Sequence, residues 1–140
     1  MQTIGYTAGT FDMFHIGHLN FLENAKGRCD YLIVGVNTDE LVAEYKNRAV
    51  IVTLSERMRI ILALKCVDKV IEVNSLDKKP YLEKLGFNRL FIGSDWAENE
   101  RWLSTKAEMA DFGVETIFLP YTENTSSTLL RKKLLDALPL

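Results

Sequence analysis

Apolar residues recur along this chain in short blocks of two kinds, and the two kinds alternate. Blocks of the first kind are brief, rich in β-formers and bounded by turn residues: Ile4 to Ala8, Tyr31 to Val36, Lys69 to Val73, Leu90 to Ile92 and Glu115 to Leu119. Each predicts a strand. Tyr31 to Val36 is apolar throughout, which suits a central parallel strand covered on both faces.

Blocks of the second kind carry apolar residues at helical spacing. His18 to Lys26 places Leu19, Leu22 and Ala25 on one side and stops at Gly27. Leu41 to Tyr45 predicts a short helix behind the caps Asn37, Thr38 and Asp39, followed by a basic turn at Lys46, Asn47 and Arg48. Thr53 and Glu56 have capping-box spacing ahead of a helix over Arg57 to Lys65. Pro80 suits the first turn of another helix, which Gly86 would end. Trp102 to Phe112, closed by Gly113, and Ser127 to Leu135 complete the set.

Strand and helix alternate from end to end, with no linker, repeat or low-complexity segment between them. The expected fold is therefore α/β: a Rossmann-like, doubly wound, five-stranded parallel sheet with helices on both faces, in a single domain. In such sheets ligands sit beyond the carboxyl ends of the strands, where strand order reverses. The loops after the first and fourth strands, with the start of the last helix, are expected to meet there.

Composition narrows the class without naming a function. The chain has 140 residues, 47% hydrophobic and 26% charged, with a formal net charge of −2. That is an ordinary globular composition, and it provides no global basic field for nucleic acid. Cys29 and Cys66 lack CxxC spacing or a neighbouring His, so they read as buried reduced thiols. No apolar run approaches a membrane span and the amino terminus has no secretory pattern, so the expected compartment is the cytoplasm.

Chemistry concentrates in Gly9-Thr-Phe-Asp-Met-Phe-His-Ile-Gly-His18, which holds both histidines of the chain. Imidazoles at i and i+3 across a loop-to-helix junction can face one way, beside the free N–H groups and positive dipole end of the helix. Anionic oxygens suit that place. Thr10 adds a hydroxyl, and Gly17 lets a phosphate or the backbone approach closely. A His-x-x-His zinc site is the rival reading, but a third ligand is not close by in the sequence.

The decapeptide resembles the signature GTFDxxHxGH of the glycerol-3-phosphate cytidylyltransferase family, the cytidylyltransferase branch of the HxGH nucleotidyltransferases. The resemblance implies that His15 and His18 hold a triphosphate and stabilise charge as the α-phosphorus is attacked. Gly9, Thr10, Phe11, Asp12 and Gly17 would line the nucleotide site. Lys46 matches an active-site lysine, which would also face the acceptor, and Arg48 falls where a second lysine is usual. Arg57 matches the helix arginine of the family, Lys65 stands where an arginine often occurs, and Lys79 falls near a substrate-side lysine, with Lys78 beside it leaving the register open.

Two further stretches extend the resemblance. Gly93-Ser-Asp-Trp96 is similar to the family's GDDW, with Ser94 in place of the first Asp, and it implies that Asp95 and Trp96 border the nucleoside. Tyr121-Thr-Glu-Asn-Thr-Ser-Ser-Thr128 is similar to RTEGISTS. Thr122, Ser126, Ser127 and Thr128 would cap the last helix and meet the β- and γ-phosphates. Tyr121 stands where the family has a phosphate-contacting arginine and Asn124 where it has glycine, so one fixed positive charge is missing from this stretch.

The activity implied is transfer of CMP from CTP to a small phospho-alcohol, with glycerol 3-phosphate the first candidate and CDP-glycerol and pyrophosphate the products. Mg2+ is expected with the nucleotide, since no acidic metal cage is visible. Kinship also implies a homodimer and supply of teichoic-acid-type polymers. An adenylyltransferase acting on a sugar phosphate, FMN or phosphopantetheine shares the opening motif and stays open, as does a nucleotide-binding regulator without turnover.

Overall fold

Every residue of β2 (Tyr31–Asn37) after Tyr31 is buried, as a central parallel strand covered on both faces must be. The computed structural model that shows this describes residues 2–94, 99–120, 122 and 126–139. Around β2 the chain runs β1 (Ile4–Gly9), α1 (Ile16–Lys26), β2, α2 (Asp39–Lys46), α3 (Leu54–Leu62), β3 (Lys69–Val73) and α4 (Lys79–Leu85). It continues through β4 (Arg89–Gly93), α5 (Glu100–Asp111), β5 (Glu115–Leu119) and α6 (Ser127–Ala137).

The strands form one sheet in the order β3-β2-β1-β4-β5, every neighbouring pair parallel. This is the doubly wound arrangement that the alternation predicts, with strand order reversing between β1 and β4. Side chains alternate between the two faces. Leu32, Val34, Val36 and Phe91 pack with Leu22 of α1 and Ile61 of α3. Tyr6, Ile33, Leu90 and Ile92 pack with Leu82 of α4 and Met109 of α5 on the other side.

The reversal point is also where the sheet opens. β1 pairs with β2 over its full length, from Ile4 against Tyr31 to Gly9 against Val36. With β4 it pairs only at Gly5 against Arg89 and Tyr6 against Leu90. One residue further on, the buried Thr7 hydroxyl donates to the Phe91 carbonyl at 2.9 Å, a side-chain bond where a ladder bond would otherwise run. A crevice follows between the carboxyl ends of the two strands.

Helix ends differ from the periodicity in instructive ways. α1 begins at Ile16 rather than His18 because His15 is its N-cap, a role that the usual hydroxyl and carboxamide preferences do not suggest. Thr53 is the N-cap of α3 but makes no side-chain cap bond, which corrects the capping box expected there; its Oγ1 lies 3.2 Å from Glu56 Oε2 instead. The same helix ends at Leu62, not Lys65, because the Ala63 N–H is shared between the Arg59 and Ile60 carbonyls and tightens the last turn. Gly86 ends α4 as expected, at φ 68°, a conformation that costs other residues.

Candidate active site

The loop between β1 and α1 is held open by its own backbone. Phe11 and Met13 adopt positive φ, 55° and 49°, which non-glycine residues adopt only when their surroundings enforce it. Phe11 is 8% exposed, and its ring meets the His18 ring edge-on at 5.4 Å. Gly9 makes room for this: a Cβ there would lie 3.0 Å from the Phe11 ring. Phe11 thus borders the cleft from the core rather than projecting into it.

Asp12 is the knot of the loop. Its carboxylate accepts the N–H groups of Met13 at 3.0 Å, Ile51 at 2.8 Å and Val52 at 2.8 Å, and pairs with Arg131 of α6. Burial alone would push the Asp12 carboxyl up; the three N–H donors and the Arg131 guanidinium outweigh it and hold the pKa below the usual range. Its carbonyl accepts from Ser127. Asp12 joins β1, the 50s loop and α6, and its oxygens are committed to that.

His15 and His18 cap the turn they occupy. The Gly17 N–H donates to His15 Nδ1 at 3.0 Å, and the His15 N–H donates to His18 Nδ1 at 3.2 Å. An accepting Nδ1 carries no proton, so each neutral ring must carry its proton on Nε2. The rings stack at 3.9 Å. Burial, followed by the charges of His15 and Lys46, lowers the His18 pKa to about 3, and burial lowers that of His15. Both are therefore neutral Nε2–H donors at neutral pH. Among the described residues the buried His15 Nε2 has no partner, as expected of a donor awaiting an anionic ligand.

A cleft of about 390 Å³ opens beside these rings, lined by Gly9, Thr10, Phe11, Asp12, Gly17 and the histidines. Lys46 and Arg48 reach it from the end of α2, on either side of Asn47, whose left-handed conformation (φ 54°) turns the chain there. Thr122, Ser126, Ser127 and Thr128 line it from the α6 side. Ser126 caps α6 through the Leu129 N–H at 2.9 Å, and Asn20 Nδ2 lies 3.4 Å from the Thr122 hydroxyl. Asp95, Trp96, Tyr121, Glu123 and Asn124 lie outside the described residues.

Three basic residues sit differently from their sequence-based roles. Arg57 does not line the cleft: at 1% exposure it lies beneath it, donating to the carbonyls of Thr10 at 2.7 Å, Asn37 at 2.8 Å and Val52 at 2.8 Å and pairing with Asp39. Its guanidinium is spent on the scaffold. Lys65, past the end of α3, precedes β3 and is exposed away from the cleft, because strand carboxyl ends and not amino ends form the site. Lys79 is exposed with its ammonium 5.6 Å from the Phe112 ring centroid, and it is Lys78 that enters the cleft.

Arg131 is the residue that sequence reasoning missed, and Lys78 takes the place expected of its neighbour Lys79. Lys78 is 6% exposed, with its ammonium 5.3 Å from the Trp102 ring centroid. Burial and then the charge of Arg101 lower its pKa to about 8. Arg131 lines the cleft and spends one nitrogen on Asp12, while its buried NH1 has no partner among the described residues. Its signal was present: Arg131 follows Ser127 by one helical turn and so shares its face.

Among the described residues no cluster of three His, Cys, Asp or Glu side chains could hold a metal ion, and no helix is long and apolar enough to cross a membrane. Asp12, the carboxylate that lines the cleft among the described residues, has both oxygens engaged.

Comparison with known proteins gives a consistent result. Residues 6–133 match the family described as cytidylyltransferase-like. The chain is 35% identical over 127 residues to a glycerol-3-phosphate cytidylyltransferase of Bacillus spizizenii, covering 90% of this chain and 92% of that protein. It is 33% identical over 137 residues to the bifunctional protein HldE of Hydrogenovibrio crunogenus, spanning 97% of this chain but 28% of that longer protein. A lipopolysaccharide core biosynthesis protein of Thermoplasma volcanium shares the fold at TM-score 0.73 and 21% identity, over 89% of this chain and 100% of the other.

Proposed function

Because the chain belongs to the cytidylyltransferase-like family of nucleotidyltransferases, we propose that it transfers CMP from CTP to a small phospho-alcohol, glycerol 3-phosphate being the foremost acceptor. A phosphate oxygen of the acceptor attacks the α-phosphorus of CTP in line. The bond from that phosphorus to the oxygen bridging the α- and β-phosphates breaks, and pyrophosphate leaves with the electron pair. The products are CDP-glycerol and pyrophosphate.

The observation that carries this reading is the pair of Nε2–H donors fixed by backbone bonds at both Nδ1 atoms. Charge builds on the bridging and non-bridging phosphate oxygens as the reaction proceeds. Donors that need no reorientation stabilise that charge at little cost. Lys46, Arg48, the NH1 of Arg131 and the hydroxyls of Ser126 and Thr128 would hold the triphosphate, with the start of α6 adding its N–H groups. Catalysis of this kind is positioning and electrostatics, with no covalent enzyme intermediate.

Lys78 is the candidate holder of the acceptor phosphate. It reaches the cleft from the α4–α5 face, whereas the histidines and Arg131 reach it from α1 and α6. Mg2+ would enter as the counter-ion of the triphosphate, as part of the substrate.

Pyrophosphate release tests the reading, with CTP, ATP, GTP and UTP each offered with glycerol 3-phosphate, other phospho-alcohols, sugar phosphates, FMN and phosphopantetheine. CTP with glycerol 3-phosphate is expected to give the highest kcat/KM. Turnover with ATP alone would move the chain to adenylyl transfer, and CTP binding without any release would make it a regulator.

A further inference from the structure

Tyr45, in the last turn of α2, connects the basic end of that helix to the first loop of the cleft. Its hydroxyl lies 3.0 Å from Thr10 Oγ1, and Asn37 Nδ2 lies 3.1 Å from the Tyr45 hydroxyl and 3.4 Å from Thr10 Oγ1. Asn37 ends β2 and is 4% exposed, and its own carbonyl accepts from Arg57. The Lys46 ammonium lies 5.6 Å from the centroid of the Tyr45 ring. One side chain therefore touches Thr10 with its tip and Lys46 with its face.

Counting hydrogens gives this triangle a use. Asn37 can only donate through Nδ2. Tyr45 and Thr10 bring one hydroxyl hydrogen each, and the bond between them consumes one. Whichever way that bond runs, one O–H is left over. An anionic oxygen in the cleft selects the arrangement in which Tyr45 donates to Thr10 and Thr10, a cleft-lining residue, turns its hydrogen outward.

We propose that Tyr45 is a positioning residue for the triphosphate: its hydroxyl sets Thr10 as a donor to a phosphate oxygen, and its ring steadies the ammonium of Lys46. The inference rests on the nucleotide-transfer reading and adds to it a residue that touches no substrate. The backbone of Thr10 is held separately by Arg57. Removing the Tyr45 hydroxyl thus disturbs the orientation of the Thr10 side chain and leaves the course of the loop intact. Tyr45 is 39% exposed, so truncation does not open the core.

The test is CTP–Mg2+ affinity by calorimetry, with thermal midpoints alongside, for the wild type, Tyr45→Phe, Tyr45→Leu, Thr10→Val and the Thr10→Val/Tyr45→Phe pair. Tyr45→Phe is expected to weaken binding about tenfold, the scale of one hydrogen bond to a charged group, at an unchanged midpoint. Tyr45→Leu adds roughly a two- to fivefold loss as Lys46 loses its ring. Thr10→Val costs at least as much as Tyr45→Phe, and the pair is no worse than Thr10→Val alone, because Tyr45 acts through the Thr10 donor. Tyr45→Phe within twofold of the wild type, effects that multiply in the pair, or a lowered midpoint at unchanged affinity would each overturn the proposal. A wild type that binds no nucleotide would overturn the transfer reading itself and this proposal with it, which the variants alone cannot do.

Discussion

The backbone N–H of His15 donates to Nδ1 of His18 at 3.2 Å, while the His15 ring caps the same turn through Gly17 at 3.0 Å. Two side chains read as phosphate ligands therefore also start α1. The cap fixes the tautomer and the tautomer fixes the donor. This gives a way to separate folding from catalysis, because an Asn carboxamide places an acceptor near the position of Nδ1 and nothing at Nε2.

His15→Asn and His18→Asn are each expected to lower kcat about a hundredfold, as for loss of one oxyanion donor, with little change in thermal midpoint. Steady-state kinetics beside a melting curve checks both halves. Turnover near wild type in both variants would remove the imidazoles from the chemistry.

The same burial sets a pH dependence of stability. The folded pKa of His18, about 3, and the lowered one of His15 lie below the unfolded value of 6.5. As pH falls through 6.5 the unfolded chain takes up protons that the folded chain refuses, so stability is full above that pH and declines below it. Thermal midpoints between pH 7.5 and pH 5 should show the decline, flattened in His18→Asn. The Asp12 carboxyl, held low, contributes in the same direction at more acid pH.

Arg57 separates a scaffold role from a substrate role. Itself 1% exposed, it donates to three backbone carbonyls from three segments and pairs with the half-buried Asp39. Arg57→Met should cost at least about 3 kcal/mol in urea unfolding, since it strands three backbone carbonyls. Wild-type stability with abolished turnover would instead mean that Arg57 reaches the substrate.

Lys78 and Lys79 form an internal control one residue apart. Lys78→Ala should raise the acceptor KM about tenfold or more, and Lys79→Ala should leave it within twofold. Because burial lowers the Lys78 pKa to about 8, the acceptor KM of the wild type should climb as pH rises through that value. A flat profile between pH 7 and pH 9 would contradict the assignment.

The parts legible in the sequence were those that local patterns specify. Strand blocks such as Tyr31 to Val36 and Glu115 to Leu119 follow from apolar runs between turn residues, and the observed strands begin at the residues expected. Their alternation with helices was enough to give the doubly wound sheet. The decapeptide was legible because one short loop carries it and delivers its donors together.

What escaped was decided by packing between distant segments. Whether Lys78 or Lys79 enters the cleft depends on where Trp102, on another helix, offers a ring. Arg57 reads as a free helix arginine until the carbonyls of Thr10, Asn37 and Val52 close around it. Arg131 gains its place through Asp12, which lies on another element far away in sequence. Imidazole capping of α1 has no counterpart among the usual cap residues, so the helix begins at Ile16, earlier than the pattern indicates.

The most direct test of nucleotidyl transfer is the product formed from CTP and glycerol 3-phosphate, followed by phosphorus NMR in the wild type and His18→Asn. The account predicts a diphosphate diester and pyrophosphate appearing in equal amounts in the wild type, about a hundredfold more slowly in the variant. CTP left intact by the wild type, or the same rate in both proteins, would contradict it.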